Sequence, residues 1–88
     1  MYLEPSAGAG SFINLLPHYI ALDIAPEDER ITKQDYLKYG TDRTDLITIG
    51  NPPFGSRSKL AIDFFNHAAS MSDVIAFIIP VSFMKWSV

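Results

Sequence analysis

The chain has 88 residues, with ten acidic against seven basic side chains, a formal net charge of −3 and a pI near 5.1. It is one domain at most, because a chain this short buries only about 60–65% of the surface it exposes when unfolded. With 48% apolar and 12% aromatic residues it is too hydrophobic for a disordered segment. The absence of cysteine excludes disulfides and thiolate metal sites, and the dispersed Lys and Arg residues form no nucleic-acid-binding stripe. The longest apolar run, Val74 to Ile79, falls far short of the ~20 residues that span a bilayer. The expectation is a soluble, cytoplasmic protein with no membrane partner.

Tyr2-Leu3-Glu4 reads as a short strand, turned sharply by Pro5-Ser6-Ala7-Gly8-Ala9-Gly10. Small residues there let backbone approach a ligand closely, although an ordinary βα loop has the same composition. Ser11 is a candidate cap for a helix of about two turns that buries Phe12, Leu15 and Leu16 and ends at Pro17. Gly8-Ala9-Gly10-Ser11-Phe12-Ile13 has Ile at the third glycine position of the dinucleotide fingerprint, which disfavours a nicotinamide or flavin dinucleotide.

Tyr19-Ile20-Ala21-Leu22-Asp23 is a second apolar strand that closes on an acid ahead of Ile24-Ala25-Pro26-Glu27. An acid in that place can accept from two ribose hydroxyls; a capping or solvated aspartate is the alternative. His18 reads as a surface or packing residue. Pro26 to Arg30 is too short for a full helix, Ile31-Thr32-Lys33 predicts a brief third strand, and Gln34-Asp35-Tyr36-Leu37 turns outward. Leu46 to Ile49 predicts a fourth strand, followed by Gly50-Asn51-Pro52-Pro53-Phe54-Gly55. Asn51 and the Pro52 carbonyl offer two stiffly held acceptors beside the flat face of Phe54, a set that suits a planar amine. A Pro-Pro turn capping a helix is the plain alternative.

Ser58 is a candidate cap for the next helix, in which Leu60, Ala61, Phe64, Phe65, Ala68 and Ala69 recur at helical spacing and predict a core stripe. Asp63, Asn66 and His67 fall on or near its wet face. Val74 to Ile79 is apolar on both faces, as in an interior parallel strand, and Val81 to Trp86 starts what reads as another helix capped by Ser82. The order of elements calls for an α/β fold, a doubly wound parallel sheet of about five strands in the order 3-2-1-4-5. That order makes the first and fourth strands neighbours and brings the glycine turn and the Asn-Pro-Pro-Phe turn to one edge.

Asn51-Pro52-Pro53-Phe54 resembles the catalytic tetrapeptide of S-adenosylmethionine-dependent methyltransferases that act on amino nitrogens, most closely the N6-adenine DNA methyltransferases. Glu4-Pro5-Ser6-Ala7-Gly8-Ala9-Gly10-Ser11-Phe12 is similar to the first motif of the same enzymes. The resemblance covers nearly the whole chain, and the two motifs stand in the gamma-type order. It implies a Rossmann-like class I methyltransferase fold, residues 1–88 being part of the catalytic domain. It also implies S-adenosylmethionine as methyl donor and no metal. Catalysis would fall to Asn51, Pro52, Pro53 and Phe54, with Phe54 stacked on a base extruded from its duplex.

For the cofactor the resemblance implies Glu4, Pro5, Ser6, Ala7, Gly8, Gly10 and Phe12 from the first turn, Asp23 and Ile24 at the ribose, Asp35 at the adenine amine with Tyr36 or Leu37 lining its ring, and Asn51. Glu4 and the loop backbone would hold the amino-acid end. The same tetrapeptide also resembles that of methyltransferases acting on protein glutamine or on ribosomal RNA bases, while the Glu-Pro-Ser opening favours adenine in DNA. From another class, a truncated cofactor-binding module without activity is the rival. A preceding helix, strands beyond the fifth and a target-reading region are missing relative to the family. The chain is therefore expected to be a fragment, or to have another segment or partner covering the Val74–Ile79 edge.

Overall fold

The computed structural model describes residues 1–53 and 59–78. Five strands, β1 (Tyr2–Glu4), β2 (Tyr19–Asp23), β3 (Thr32–Lys33), β4 (Ile47–Gly50) and β5 (Val74–Phe77), form one sheet in the order β3-β2-β1-β4-β5. All four pairings are parallel. An α-helix, α1 (Lys59–Ala69), lies between β4 and β5 in sequence, and two short 3₁₀ helices span Ile13–Leu15 and Tyr36–Lys38. This is the strand order the sequence predicts. Phe54, Ser58 and the segment from Val81 onward lie outside the described residues, and with them the predicted caps Ser58 and Ser82 and the final helix.

The chain runs outward from β1 through β2 to β3, then crosses back to place β4 on the other side of β1. Order reverses between β1 and β4, and open parallel sheets keep their ligands in the crevice at the carboxyl ends of such neighbours. Leu3 stands opposite Ile20 on β2 and Thr48 on β4, and Thr48 stands opposite Ile75 on β5. Since side chains alternate across a strand, Leu3, Leu22, Thr48, Ile75 and Phe77 share one face. On that face Leu3, Leu22, Tyr36, Leu46, Phe64 and Ala68 close into the main core. The opposite face carries a smaller cluster of Ala7, Ile13, Ala21 and Ile31.

Three sequence expectations change here. The stretch after the glycine turn is one 3₁₀ turn rather than two α-turns; Ser11 makes no cap, Ile13 is buried and Leu15 is 79% exposed. Gly10 at φ +91° and Pro17 leave too few residues between them for an α-helix, and a three-residue period rotates Ile13 inward in place of Leu15. In α1 the buried stripe is Ala61, Phe64 and Ala68, with Leu60 packed beside it, whereas Phe65 and Ala69 face outward. His67 is not on the wet face: its ring meets Tyr36 edge-on at 4.8 Å, and Nε2 donates to the Tyr39 carbonyl at 2.7 Å.

The third change is in the burial of β5, which pairs only with β4 and, as the predicted order places it, forms an edge of the sheet among the described residues. Ile75 and Phe77 pack on the core, while Val74 and Ile78 are 52% and 56% exposed. An all-apolar sequence signals burial on both faces, yet α1 packs against only one. No helix among the described residues is long and apolar enough to cross a membrane.

Candidate active site

The glycine turn is built by backbone and by one carboxylate. Ala7 N–H donates to the Leu22 carbonyl at 2.8 Å, Gly10 N–H to the Ala7 carbonyl at 2.9 Å, and Glu27 N–H to the Gly8 carbonyl at 3.0 Å. Asp23, at the end of β2, accepts Gly8 N–H on Oδ2 and Ala25 N–H on Oδ1, each at 2.8 Å. Gly8 sits at φ +57°, a conformation that L side chains rarely adopt. The adjoining loop is stapled by Arg30, which bonds the Asp28 carboxylate through Nε and Nη2 at 2.9 and 2.7 Å and reaches Asn14 Oδ1 through Nη1 at 2.9 Å. Those bonds hold the Asp28 carboxyl down at about 2.

Across the strand boundary, Ser6 Oγ donates to the Asn51 main-chain carbonyl at 3.0 Å. This bond ties the first turn to the Asn-Pro-Pro turn, 45 residues further along the chain. Pro52 is buried beneath it, whereas Asn51 is exposed and its side-chain amide makes no hydrogen bond among the described residues. Phe54, the predicted stacking residue, lies outside the described residues.

Between the two turns and α1 lies a cavity of about 250 Å³, lined by Pro5, Ser6, Asp23, Ile24, Gln34, Asp35, Tyr36, Leu37, Pro53, Leu60 and Phe64. Eight of the residues singled out in sequence thus meet around one space: Pro5, Ser6, Asp23, Ile24, Asp35, Tyr36, Leu37 and Pro53. Asp35 caps the second 3₁₀ helix, its Oδ1 accepting Leu37 N–H at 3.0 Å. Each carboxylate oxygen has two lone pairs, so both Asp23 and Asp35 keep acceptor capacity toward the cavity. Tyr36 is a core residue as well as a wall: it is 1% exposed, its ring lies 5.2 Å from that of Phe64, and burial pushes its phenol up to about 12.

The other predicted residues stand behind this surface. Ala7 and Gly10 are buried, Phe12 is half-buried, and none of these, nor Gly8, lines the cavity. Glu4 is 2% exposed, and a Cβ on Gly50 would come within 3.1 Å of its Cγ. Burial, and then the negative charge of Asp23, push the Glu4 carboxyl up to about 7. Gln34, Leu60 and Phe64 are wall residues that sequence reasoning did not assign to the site. Leu60 and Phe64 were legible as an apolar helical stripe, but a stripe does not say which of its members closes over a cavity.

The cavity combines hydrogen-bond acceptors with a flat apolar wall. Two carboxylates can take hydroxyl or amine hydrogens, the walls are mainly apolar, and a buried acid has an oxygen without a hydrogen-bond partner behind the first turn. No protein-family model, curated protein or solved structure matches this chain.

Proposed function

We propose that this chain is the cofactor-binding and catalytic part of a methyltransferase that uses S-adenosylmethionine to methylate an exocyclic amino nitrogen, N6 of adenine in DNA before other targets. The observation that carries the reading is the Ser6–Asn51 hydrogen bond: it joins the turn that would hold the cofactor to the turn that would hold the amine. Pro5 and Pro53 line the same cavity, in keeping with that junction.

Asp23 would take the ribose hydroxyls, Asp35 the adenine amine, and Ile24, Tyr36 and Leu37 would flank the ring. When bound, S-adenosylmethionine supplies a methyl group on a positively charged sulfur. The Asn51 amide oxygen and the Pro52 carbonyl would accept both hydrogens of the target amine, which raises electron density on a nitrogen whose lone pair is otherwise drawn into the ring. Their stiffness contributes by positioning, since a nucleophile held in line needs little further reorganisation. Phe54 would stack on the extruded base.

Methyl incorporation from radiolabelled cofactor into DNA, RNA and protein tests the reading. The expected outcome is labelled DNA, and loss of at least a hundredfold in rate with Asn51→Ala; an unchanged rate would refute the role of the Asn-Pro-Pro turn. The net charge of −3 favours a second reading, a protein glutamine substrate, because neutralising phosphates supplies most non-specific nucleic-acid affinity. Label in protein and not in DNA would select it.

A further inference from the structure

Among the described residues Glu4 is the only buried acid, and none of them makes an ion pair with it. Its Oε2 is sealed from solvent and has no hydrogen-bond partner. Asp23 faces it from β2. Among the described residues the other neighbouring elements offer nothing to offset the two carboxylates: β4, Ile47–Gly50, and the turn from Pro5 to Gly10 carry no titratable side chain. Asp28 and Arg30 abut Gly10 but are closed on each other. Tyr2 and Tyr19 stand at the opposite ends of their strands. Gly50 packs its bare Cα side against the Glu4 stem, leaving no room for a side chain to intervene.

A sealed carboxyl beside a second acid needs either a proton or a cation. We propose that Glu4 is a proton-linked sensor of the cofactor, holding a proton while the site is empty and releasing it to solvent when the ammonium group of an amino-acid end settles in the cavity on the Pro5–Ser6 side. The inference rests on the methyltransferase reading and adds a regulation to it: the site fills more readily as pH rises toward neutrality. Only the carboxyl O–H bond breaks, its proton passing to buffer, and no bond of the ligand changes. Direct contact is not required. A unit positive charge about 5 Å away in a medium of effective dielectric about 20 favours the ionised carboxylate by roughly a hundredfold.

The experiment is titration calorimetry of the chain at pH 6 in buffers of different ionisation enthalpy. The ligands are S-adenosylmethionine, S-adenosylhomocysteine and adenosine. The first two carry the ammonium and should each release between about half a proton and one proton, whereas adenosine should release none; their affinity should rise up to about tenfold per pH unit between pH 5 and 7 and level off above. Glu4→Gln, which copies the protonated acid in shape, should bind without proton release. Carbon-13 NMR of the Glu4 carboxyl in the unaltered chain needs no variant: its titration midpoint should lie near neutrality and move down on adding S-adenosylhomocysteine. Binding of both ammonium ligands with no more proton release than adenosine would overturn this inference and leave the methyltransferase reading standing. Failure of all three to bind would overturn both.

Discussion

The two turns that meet at the carboxyl edge of the sheet are held very differently. The glycine turn is anchored by three backbone hydrogen bonds and by one oxygen of Asp23, whose other oxygen holds Ala25 in the next loop, so its shape is built into the fold. The Asn-Pro-Pro turn is joined to it by one hydroxyl, and Asn51 is exposed. The difference matches two tasks. A cofactor of fixed chemistry is best served by preorganised groups, while a turn that must accept a large incoming target gains from leaving its acceptors uncommitted.

The most disruptive way to break this contrast is to remove the support both turns share. Phe64→Ala deletes an aromatic that packs on Tyr36 and also lines the cavity. It should cost about 3–5 kcal/mol, enough to leave a domain of this size largely unfolded, as urea denaturation would show.

Next in size is a pH effect at Glu4, the residue that leads into the glycine turn. Glu4 has its carboxyl pushed up to about 7 in the folded chain, against 4.5 for the free side chain. Between those values the unfolded chain ionises while the folded one holds its proton, so stability is greatest below about pH 4.5, falls as pH rises to about 7 and is level above. The fall should be up to about 3 kcal/mol. Thermal unfolding followed across that range checks it, and Glu4→Gln should flatten the slope.

Asp23→Ala removes the carboxylate that receives Gly8 and Ala25 and should cost about 2 kcal/mol in stability, with at least a tenfold loss of adenosine affinity by calorimetry. The smallest effect is expected at the junction itself. Ser6→Ala breaks one solvent-accessible bond and should lower stability by about 1 kcal/mol or less, while slowing methyl transfer more than it weakens cofactor binding. If the variant instead lost cofactor affinity with an unchanged turnover rate, Ser6 would belong to the preorganised side of the comparison.

Much of this layout was legible beforehand. Strands ending at Glu4 and Asp23, and one running into Gly50, are marked by apolar runs closed by turn residues, and the crossing-over of a parallel sheet then permits few orders. Asp35 and Ile24 were singled out through the family resemblance, and both line the cavity. What escaped was phase and closure: Ile13 is buried where Leu15 was expected, because a tight turn and a helix rotate side chains differently, and His67 packs on Tyr36, a partner 31 positions away.

Local composition by itself determined where the chain extends, where it turns and which residue types stand at each turn, because these follow from backbone preference and apolar periodicity over a few neighbours. Only the tertiary structure decided that Ser6 meets Asn51, that Phe64 closes over the same cavity as Asp23 and Asp35, and that Glu4 is shut away beside a second acid. Those are contacts between residues far apart in the chain, and burial, which sets both their strength and the acidity of Glu4, exists only once the sheet has brought them together.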